Sequence, residues 1–353
     1  MNHFNYVAPR TLRDALAALA QPGAVAVAGG TNLLDLMKEN VATPATLVDV
    51  NALPLAAIEA MPDGGLRLGA LARNADTAHH PLVRARYPLL SAALLAGASP
   101  QIRNMATNGG NLLQRTRCYY FYDTGTPCNK RSPGSGCPAR NGLARMHAVL
   151  GASVDCVATH PSDMCVALAA LGAVVHVASV AGERGIAMAD FHRLPGATPH
   201  VDNSLAAGEL ITHITLPPVP EGFGRHAAYL KLRERASYAF ALVSVAALLD
   251  IGKDGTVSAA RIALGGVAHK PWRDEAAEQG LVGRRPDAAA FEAAAACLLR
   301  DAVATGGPTP GSNAFKIPMA RRAVVRALQM ALQGQLTNTG ELALHTAAAG
   351  ATP

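Results

Sequence analysis

Short apolar runs separated by glycine-rich turns and helical segments fill the chain to about residue 220, a pattern that predicts α+β or α/β structure. Thr11 is placed to cap a helix through Leu19, Val25 to Ala28 reads as a short buried strand, and Leu33 to Glu39 as a helix. Thr46 to Val50 and Leu66 to Ala70 repeat the strand pattern, and Leu89 to Ala96 is helical. From about Arg115 to Val157 neither period is present, and an irregular segment that long inside a compact domain points to function. Ser162 then caps a helix through Leu171, with Asp163 in its first turn. Val174 to Val180 and Leu210 to Leu216 return as strands, the second closed by Pro217-Pro218, and PPVPEGFG reads as a linker.

A second domain is predicted from about residue 224 to 335. Ala241 to Ile251 and Val257 to Val267 flank Gly252-Lys253-Asp254-Gly255, a hairpin signal, and helical spacing follows over Asp287 to Val303 and Phe315 to Leu332. Residues 336–353 read as a disordered tail. The longest uncharged stretch, Met164 to Gly182, matches a membrane span in length, but Gly172 and His176 interrupt it, so helix followed by strand is the expectation.

Composition narrows the class. The 353 residues are 50% hydrophobic and 16% charged, with only 4% aromatic, so a large core built mainly from Ala, Val and Leu is expected and extensive disorder is not. The net charge of +6 is concentrated: Arg103, Arg115, Arg117, Lys130, Arg131, Arg140 and Arg145 face a single acid, Asp123, between residues 101 and 150, an excess equal to that of the whole chain. The N-terminus shows no secretory signal, so export would require a partner that carries one.

Two segments share a pattern. Ala28-Gly29-Gly30-Thr31-Asn32-Leu33-Leu34 follows the apolar run Val25-Ala26-Val27, and Thr107-Asn108-Gly109-Gly110-Asn111-Leu112-Leu113 echoes it. Glycines at a helix start allow close backbone approach, and successive N–H groups there suit a phosphate or diphosphate. No GxGxxG or GxxxxGK[ST] occurs, which argues against Rossmann and P-loop sites.

Five cysteines, Cys118, Cys128, Cys137, Cys156 and Cys165, fall within 48 residues, with Cys297 apart. Structural zinc favours closer C-x₂₋₄-C pairs, and a disulfide scaffold does not suit a chain without a signal. An iron–sulfur cluster needs four converging thiolates, and this basic, glycine-bearing segment offers them with Pro138 after Cys137. Cys165 and Cys297 lie in Ala/Leu-rich helices and read as small core residues. That leaves Cys118, Cys128, Cys137 and Cys156 as the candidate ligands, with zinc and disulfides as the competing readings.

The two glycine segments, SDM at a helix start, GELI before a strand ending in LPP, and YLKLRERASYAFALVSVA together resemble the FAD-binding subunits of the xanthine dehydrogenase and carbon monoxide dehydrogenase family, from about Phe4 to Leu332. The resemblance implies an α+β chain: a two-part FAD-binding domain of the vanillyl-alcohol-oxidase (PCMH) type over residues 1–220, then a carbon monoxide dehydrogenase flavoprotein C-terminal α+β domain. It implies that Val25, Ala26, Val27, Ala28, Gly29, Gly30, Thr31, Asn32 and Leu33, with Thr107, Asn108, Gly110 and Asn111, hold the diphosphate and ribityl chain of FAD. Asp163 would meet the nucleotide end, and Leu210 and Lys231 the adenine or flavin. No catalytic acid or base is assigned to this chain.

In most such subunits the second loop is followed closely by the Ser-Asp helix, whereas here Asn111 and Asp163 are separated by the cysteine-bearing insertion at about 115–158. RTRCYYFYDTGTPCNKRSPGSGC with THPSDM is similar to FAD subunits of periplasmic aldehyde oxidoreductases, which implies a 4Fe-4S cluster and a heterotrimer with a molybdenum cofactor subunit and a 2Fe-2S subunit. The expected function is electron transfer from the 2Fe-2S clusters through FAD to an external acceptor. A periplasmic location would follow from co-export, with a cytoplasmic one as the alternative. Competing readings are a self-contained flavin oxidoreductase and a zinc-stabilised nucleic-acid-binding module; no nucleic acid partner and no membrane span are expected.

Overall fold

The computed structural model describes residues 1–308 and 310–338. Strands β1 (Asn5–Val7), β2 (Ala24–Val27) and β3 (Thr46–Asp49) form a small parallel sheet in the order β1-β3-β2. Parallel neighbours need crossovers, which α1 (Leu12–Leu19) and α2 (Leu33–Lys38) supply. Thr11 caps α1 as its sequence predicts, its side chain accepting from Asp14 N.

The second sheet is antiparallel. It contains β4 (Ile58–Ala60), β5 (Leu66–Gly69), β6 (Val174–Ser179), β7 (Gly182–Ala187) and β8 (Leu210–Leu216) in the order β4-β5-β8-β6-β7. Between β5 and β6 run the short helices α3 (Asn74–His79), α4 (Pro81–Arg86), α5 (Pro88–Ala96), α6 (Pro100–Arg103) and α7 (Asn108–Leu112). The single turn α8 (Tyr119–Tyr122) lies within the insertion, and α9 (Asp163–Leu171) follows it; α10 (Met188–Phe191) comes after β7. Every residue of α9 is buried, which explains an Ala/Leu sequence with no polar face. The uncharged stretch from Met164 to Gly182 is therefore α9, a left-handed Gly172 and β6, and among the described residues no helix is long and apolar enough to cross a membrane.

The third sheet is antiparallel too, with β9 (Ala227–Leu232), β10 (Val243–Ile251), β11 (Val257–Gly265) and β12 (Trp272–Arg273) in the order β12-β11-β10-β9. The predicted linker is partly helical: α11 (Glu221–Arg225) occupies its second half and buries Phe223. Helices α12 (Glu275–Gln279), α13 (Ala288–Leu298) and α14 (Lys316–Leu332) complete the domain. Val243, Val245, Ala247 and Leu249 of β10 join the cluster of α13 and α14, whereas Ala246 and Leu248 point into the cluster of α5 and α9. With both faces covered, β10 reads as one continuous apolar run rather than an alternation. The core thus crosses the domain boundary, and α9 is packed between the two antiparallel sheets.

The predicted tail begins too early. Leu336, Thr337 and Asn338 lie along β9, where Tyr229 N donates to Leu336 O (2.7 Å) and Asn338 exchanges side-chain hydrogen bonds with the Lys231 backbone. Residues 339–353 of that expectation lie outside the described residues.

Candidate functional site

A cleft of about 510 Å³ opens between the domains. Thr31 and Asn32 reach it from the first glycine loop, Gly110 and Asn111 from the second, and Asp163 from the start of α9; Glu234, Arg235, Tyr238 and Phe240 close it from the C-terminal domain. The lip at Asn32 is suited to a diphosphate. Helix α2 starts there without a side-chain cap, whereas Thr107 caps α7 and Ser162 caps α9; Leu34 N of its first turn turns back to Gly30 O, and no side chain occupies the rest of that turn.

The other predicted contacts have structural duties. Val25, Ala26 and Val27 lie in β2, and Leu33 is packed in the core beneath it. Ala28 O accepts from Asn51 Nδ2, and Gly29 is pressed against the Met105 carbonyl so closely that a Cβ would sit 1.9 Å from that oxygen. Glycine is therefore required at 29 by contact between two backbone segments, where sequence reasoning expected contact with a ligand. Gly30 turns the chain with a φ of 68°. Leu210 packs with Ala178 and Leu16 away from the cleft.

The second loop is a hub. Asn108 is buried and donates to Gly69 O and Thr77 Oγ1 while accepting from Asn74 Nδ2. Asn111 donates to Asn74 Oδ1 (2.7 Å), and its Oδ1 accepts from Gln114 Nε2 and from Ser162 Oγ, which in turn caps α9. Thr107 Oγ1 accepts from Gly110 N. Asn32 Oδ1 accepts from Arg115 N (3.0 Å), so the first loop is joined to the start of the insertion.

Asp163 and Lys231 meet directly. Lys231 Nζ donates to Asp163 Oδ2 at 2.8 Å and to Ala96 O at 2.9 Å, and Tyr229 OH donates to Asp163 Oδ1 at 2.7 Å. Burial and the adjacent carboxylate push the Tyr229 phenol well up, so it remains a donor. Asp163 still borders the cleft, but Lys231 spends its charge on the pair. Tyr229 was missed because an aromatic in an apolar run reads as core; only its register two residues from Lys231 in β9 signals the shared partner.

Cys118, Cys128, Cys137 and Cys156 line one small buried chamber, and all four are free thiols. Local turns aim each of them. Cys118 precedes α8, Cys128 heads a turn whose carbonyl accepts from Arg131 N and Ser132 N, and Cys137 precedes the 3₁₀ turn Pro138–Arg140. Cys156 N donates to Ser153 Oγ. Asn129 folds the excursion back, its backbone and side chain pairing with Gly136.

The thiols are close enough to shift one another. A hydrogen bond between Cys137 and Cys156 pulls the first thiol down and pushes the second up, and burial pushes Cys118 up to about 12. Two imidazoles touch the same sulfurs: His147 Nε2 is 3.0 Å from Cys118 Sγ and His269 Nε2 is 3.3 Å from Cys156 Sγ. Burial pushes these rings down, to about 4 for His147 and about 3 for His269, so both are neutral near pH 7. Sequence reasoning missed both: His147 lies in the insertion without a metal-ligand spacing, and nothing in the spacing of His269 connects it to the insertion.

Cys165 and Cys297 lie in α9 and α13 as expected. Cys165 does approach His160 and His192, but those two rings pack against each other at a tilt of 47° with centroids 4.0 Å apart, and His192 Nε2 is engaged by Leu112 O.

The basic excess is internal stitching. Lys130 and Arg115 both pair with Asp202, Arg131 donates to the carbonyls of Tyr120, Phe121 and Thr126, and Arg140 donates to Val154 O. Burial would raise the Asp202 carboxyl, yet the two cations hold it below the usual range. Lys130 is the member that borders the cysteine chamber. A thin wall separates that chamber from the cleft: Arg117 and Met146 line the cleft, and their next residues, Cys118 and His147, line the chamber.

The model of the FAD binding domain in molybdopterin dehydrogenase matches residues 2–219, and that of the CO dehydrogenase flavoprotein C-terminal domain matches residues 227–331. The chain belongs to the FAD-binding subunits of the molybdenum hydroxylases. This subunit is 53% identical over 330 residues to the aldehyde oxidoreductase FAD-binding subunit PaoB of Escherichia coli, covering 93% of this chain and 98% of that protein. It is 29% identical to the carbon monoxide dehydrogenase medium chain of Afipia carboxidovorans, covering 92% and 96%. Among solved structures, carbon monoxide dehydrogenase from Hydrogenophaga pseudoflava matches with a TM-score of 0.73 at 27% identity, covering 94% and 98%, and quinoline 2-oxidoreductase from Pseudomonas putida 86 with 0.71 at 28%, covering 95% and 99%. The two-domain α+β expectation holds, and this is an oxidoreductase subunit that binds FAD. The reading as a zinc-stabilised nucleic-acid module falls with the family assignment, and its basic residues are occupied as described.

Proposed function

We propose that this subunit carries FAD and a 4Fe-4S cluster in a heterotrimeric molybdenum-containing aldehyde oxidoreductase, which converts aldehydes to carboxylic acids. Its partners would be a molybdenum cofactor subunit and a 2Fe-2S subunit, and it would reach the periplasm by co-export with a signal-bearing partner. The observation that carries the reading is the convergence of four free cysteines on one buried chamber, in a chain 53% identical to an aldehyde oxidoreductase subunit. Four thiols with N–H groups and a neighbouring cation fit an anionic cluster by the chemistry of the donor set.

FAD supplies the conversion between two-electron and one-electron transfer, and the cluster supplies single-electron transfer. The chain's own residues build the surroundings. The uncapped start of α2 and the Gly110–Asn111 turn would hold the diphosphate from opposite sides, and Asn111, fixed by Asn74 and Ser162, keeps the second loop rigid. Lys231 and Tyr229 lock the Asp163 carboxylate at the nucleotide end. Phe240 closes the cleft with the Arg117 guanidinium over its ring at 4.9 Å, which helps exclude water beside the thin wall.

Purification of the chain with its co-encoded neighbours, followed by iron, molybdenum and flavin analysis, tests the reading. Cys137→Ser is expected to remove about four iron atoms per complex while leaving most of the flavin in place. Unchanged iron would refute the ligand set, and a complex without molybdenum or aldehyde oxidation would refute the assembly. The isolated chain is expected not to oxidise aldehydes.

A further inference from the structure

We propose that His147 and His269 donate hydrogen bonds to the cluster-bound thiolates of Cys118 and Cys156, and that through His269 the C-terminal domain helps set the cluster's reduction potential. This rests on the 4Fe-4S reading above and assigns to that site two groups outside its ligand set. The rings approach two different sulfurs through Nε2, at 3.0 Å and 3.3 Å. A thiolate bound to iron can only accept, so the ring atom facing it must carry the proton. For His269 the alternative tautomer would place its proton on Nδ1, which is buried with no hydrogen-bond partner.

The backbone at both histidines is tied across the domain boundary. His147 O accepts from Lys316 Nζ (2.8 Å) and from Asn313 Nδ2 (3.1 Å), at the start of α14. His269 follows the turn leaving β11, where Val267 O accepts from Val149 N and Leu150 N, and Ala268 O accepts from His160 N. The backbone that carries Cys156 is therefore tied on both sides to the segment that carries His269.

The reduced cluster bears one more negative charge than the oxidised one, and its sulfurs take part of it. An N–H aimed at sulfur stabilises the reduced form more, so deleting it lowers the potential; the proton stays on nitrogen throughout. Neither histidine is a ligand in this scheme, and both act as positioning residues.

In the purified complex, His147→Leu and His269→Leu are each compared with the corresponding Gln variant, whose amide keeps an N–H at similar reach. Redox titration followed by electron paramagnetic resonance is expected to show a more negative midpoint for the 4Fe-4S signal in each Leu variant. The double Leu variant should lie lower still, the Gln variants close to wild type, and the 2Fe-2S signals unmoved. Hyperfine coupling from isotope-labelled histidine nitrogen is expected in the reduced complex and should vanish in the double Leu variant. Iron loss from a Leu variant with retention in its Gln counterpart carries the same conclusion. Unshifted potentials in iron-replete Leu variants, or equal iron loss from Leu and Gln variants, would overturn the inference. A wild-type complex lacking this iron would instead overturn the proposed function, and it would be seen before any substitution is made.

Discussion

The two glycine loops spell nearly the same word and do different work. In the first, Gly29-Gly30-Thr31-Asn32 leaves a parallel strand, presses its backbone against Met105 and opens an uncapped helix toward the cleft. In the second, Gly109-Gly110-Asn111 sits inside a capped helix, and its asparagines bind the chain to itself from Gly69 to Ser162. A lip that presents N–H groups and a hub that keeps the opposite wall rigid are complementary requirements of one cleft. The shared letters thus cover different structural duties on two walls of the same cleft.

The sharpest way to break this contrast is Gly29→Val. Its side chain would collide with a carbonyl held by Arg73, so a cost of about 3 kcal/mol and loss of bound flavin are expected, read as melting temperature and as flavin per protein after purification. Normal values for both would show that the loops part freely. Asn108→Leu removes the hub without touching the cleft lining. With the Asn74 amide N–H and the Thr77 hydroxyl deprived of their buried partner, it should cost about 2–3 kcal/mol in urea unfolding, and a neutral result would deny the second loop its structural role. The smallest effect comes from pairing Gly30→Ala with Gly110→Ala. The left-handed backbone at Gly30 sets a cost of about 1–2 kcal/mol, and the ordinary backbone at Gly110 a smaller one, measured by the same unfolding. Equal costs would erase the distinction between the loops.

The same contrast explains what could be read from the chain. Thr11, Ser162, the strand Leu210–Leu216 and the long helix α14 were legible because caps, β-branched runs and helical periods are local signals. Strands β1 and β4 were not, being three-residue edges too short to show a period, and β9 was obscured by a lysine whose partner lies 68 positions away. The convergence of four cysteines on one chamber was legible from their clustering in the sequence, and Cys165 was set aside because its helix has no polar face. Which glycine meets a neighbour rather than a ligand, and which histidine meets a sulfur, depends on long-range placement that no local pattern carries.

The buried pair of Asp163 and Lys231 makes the linker a poor place to divide the molecule. Scission near Pro218 would strip a carboxylate from one fragment's ammonium and leave α9 and β9 each with a charge turned toward vacated core, so neither half should persist alone as a soluble, folded piece. The cleft is thus roofed and floored by elements that fold only in each other's company, and cofactor occupancy and domain integrity should rise and fall together.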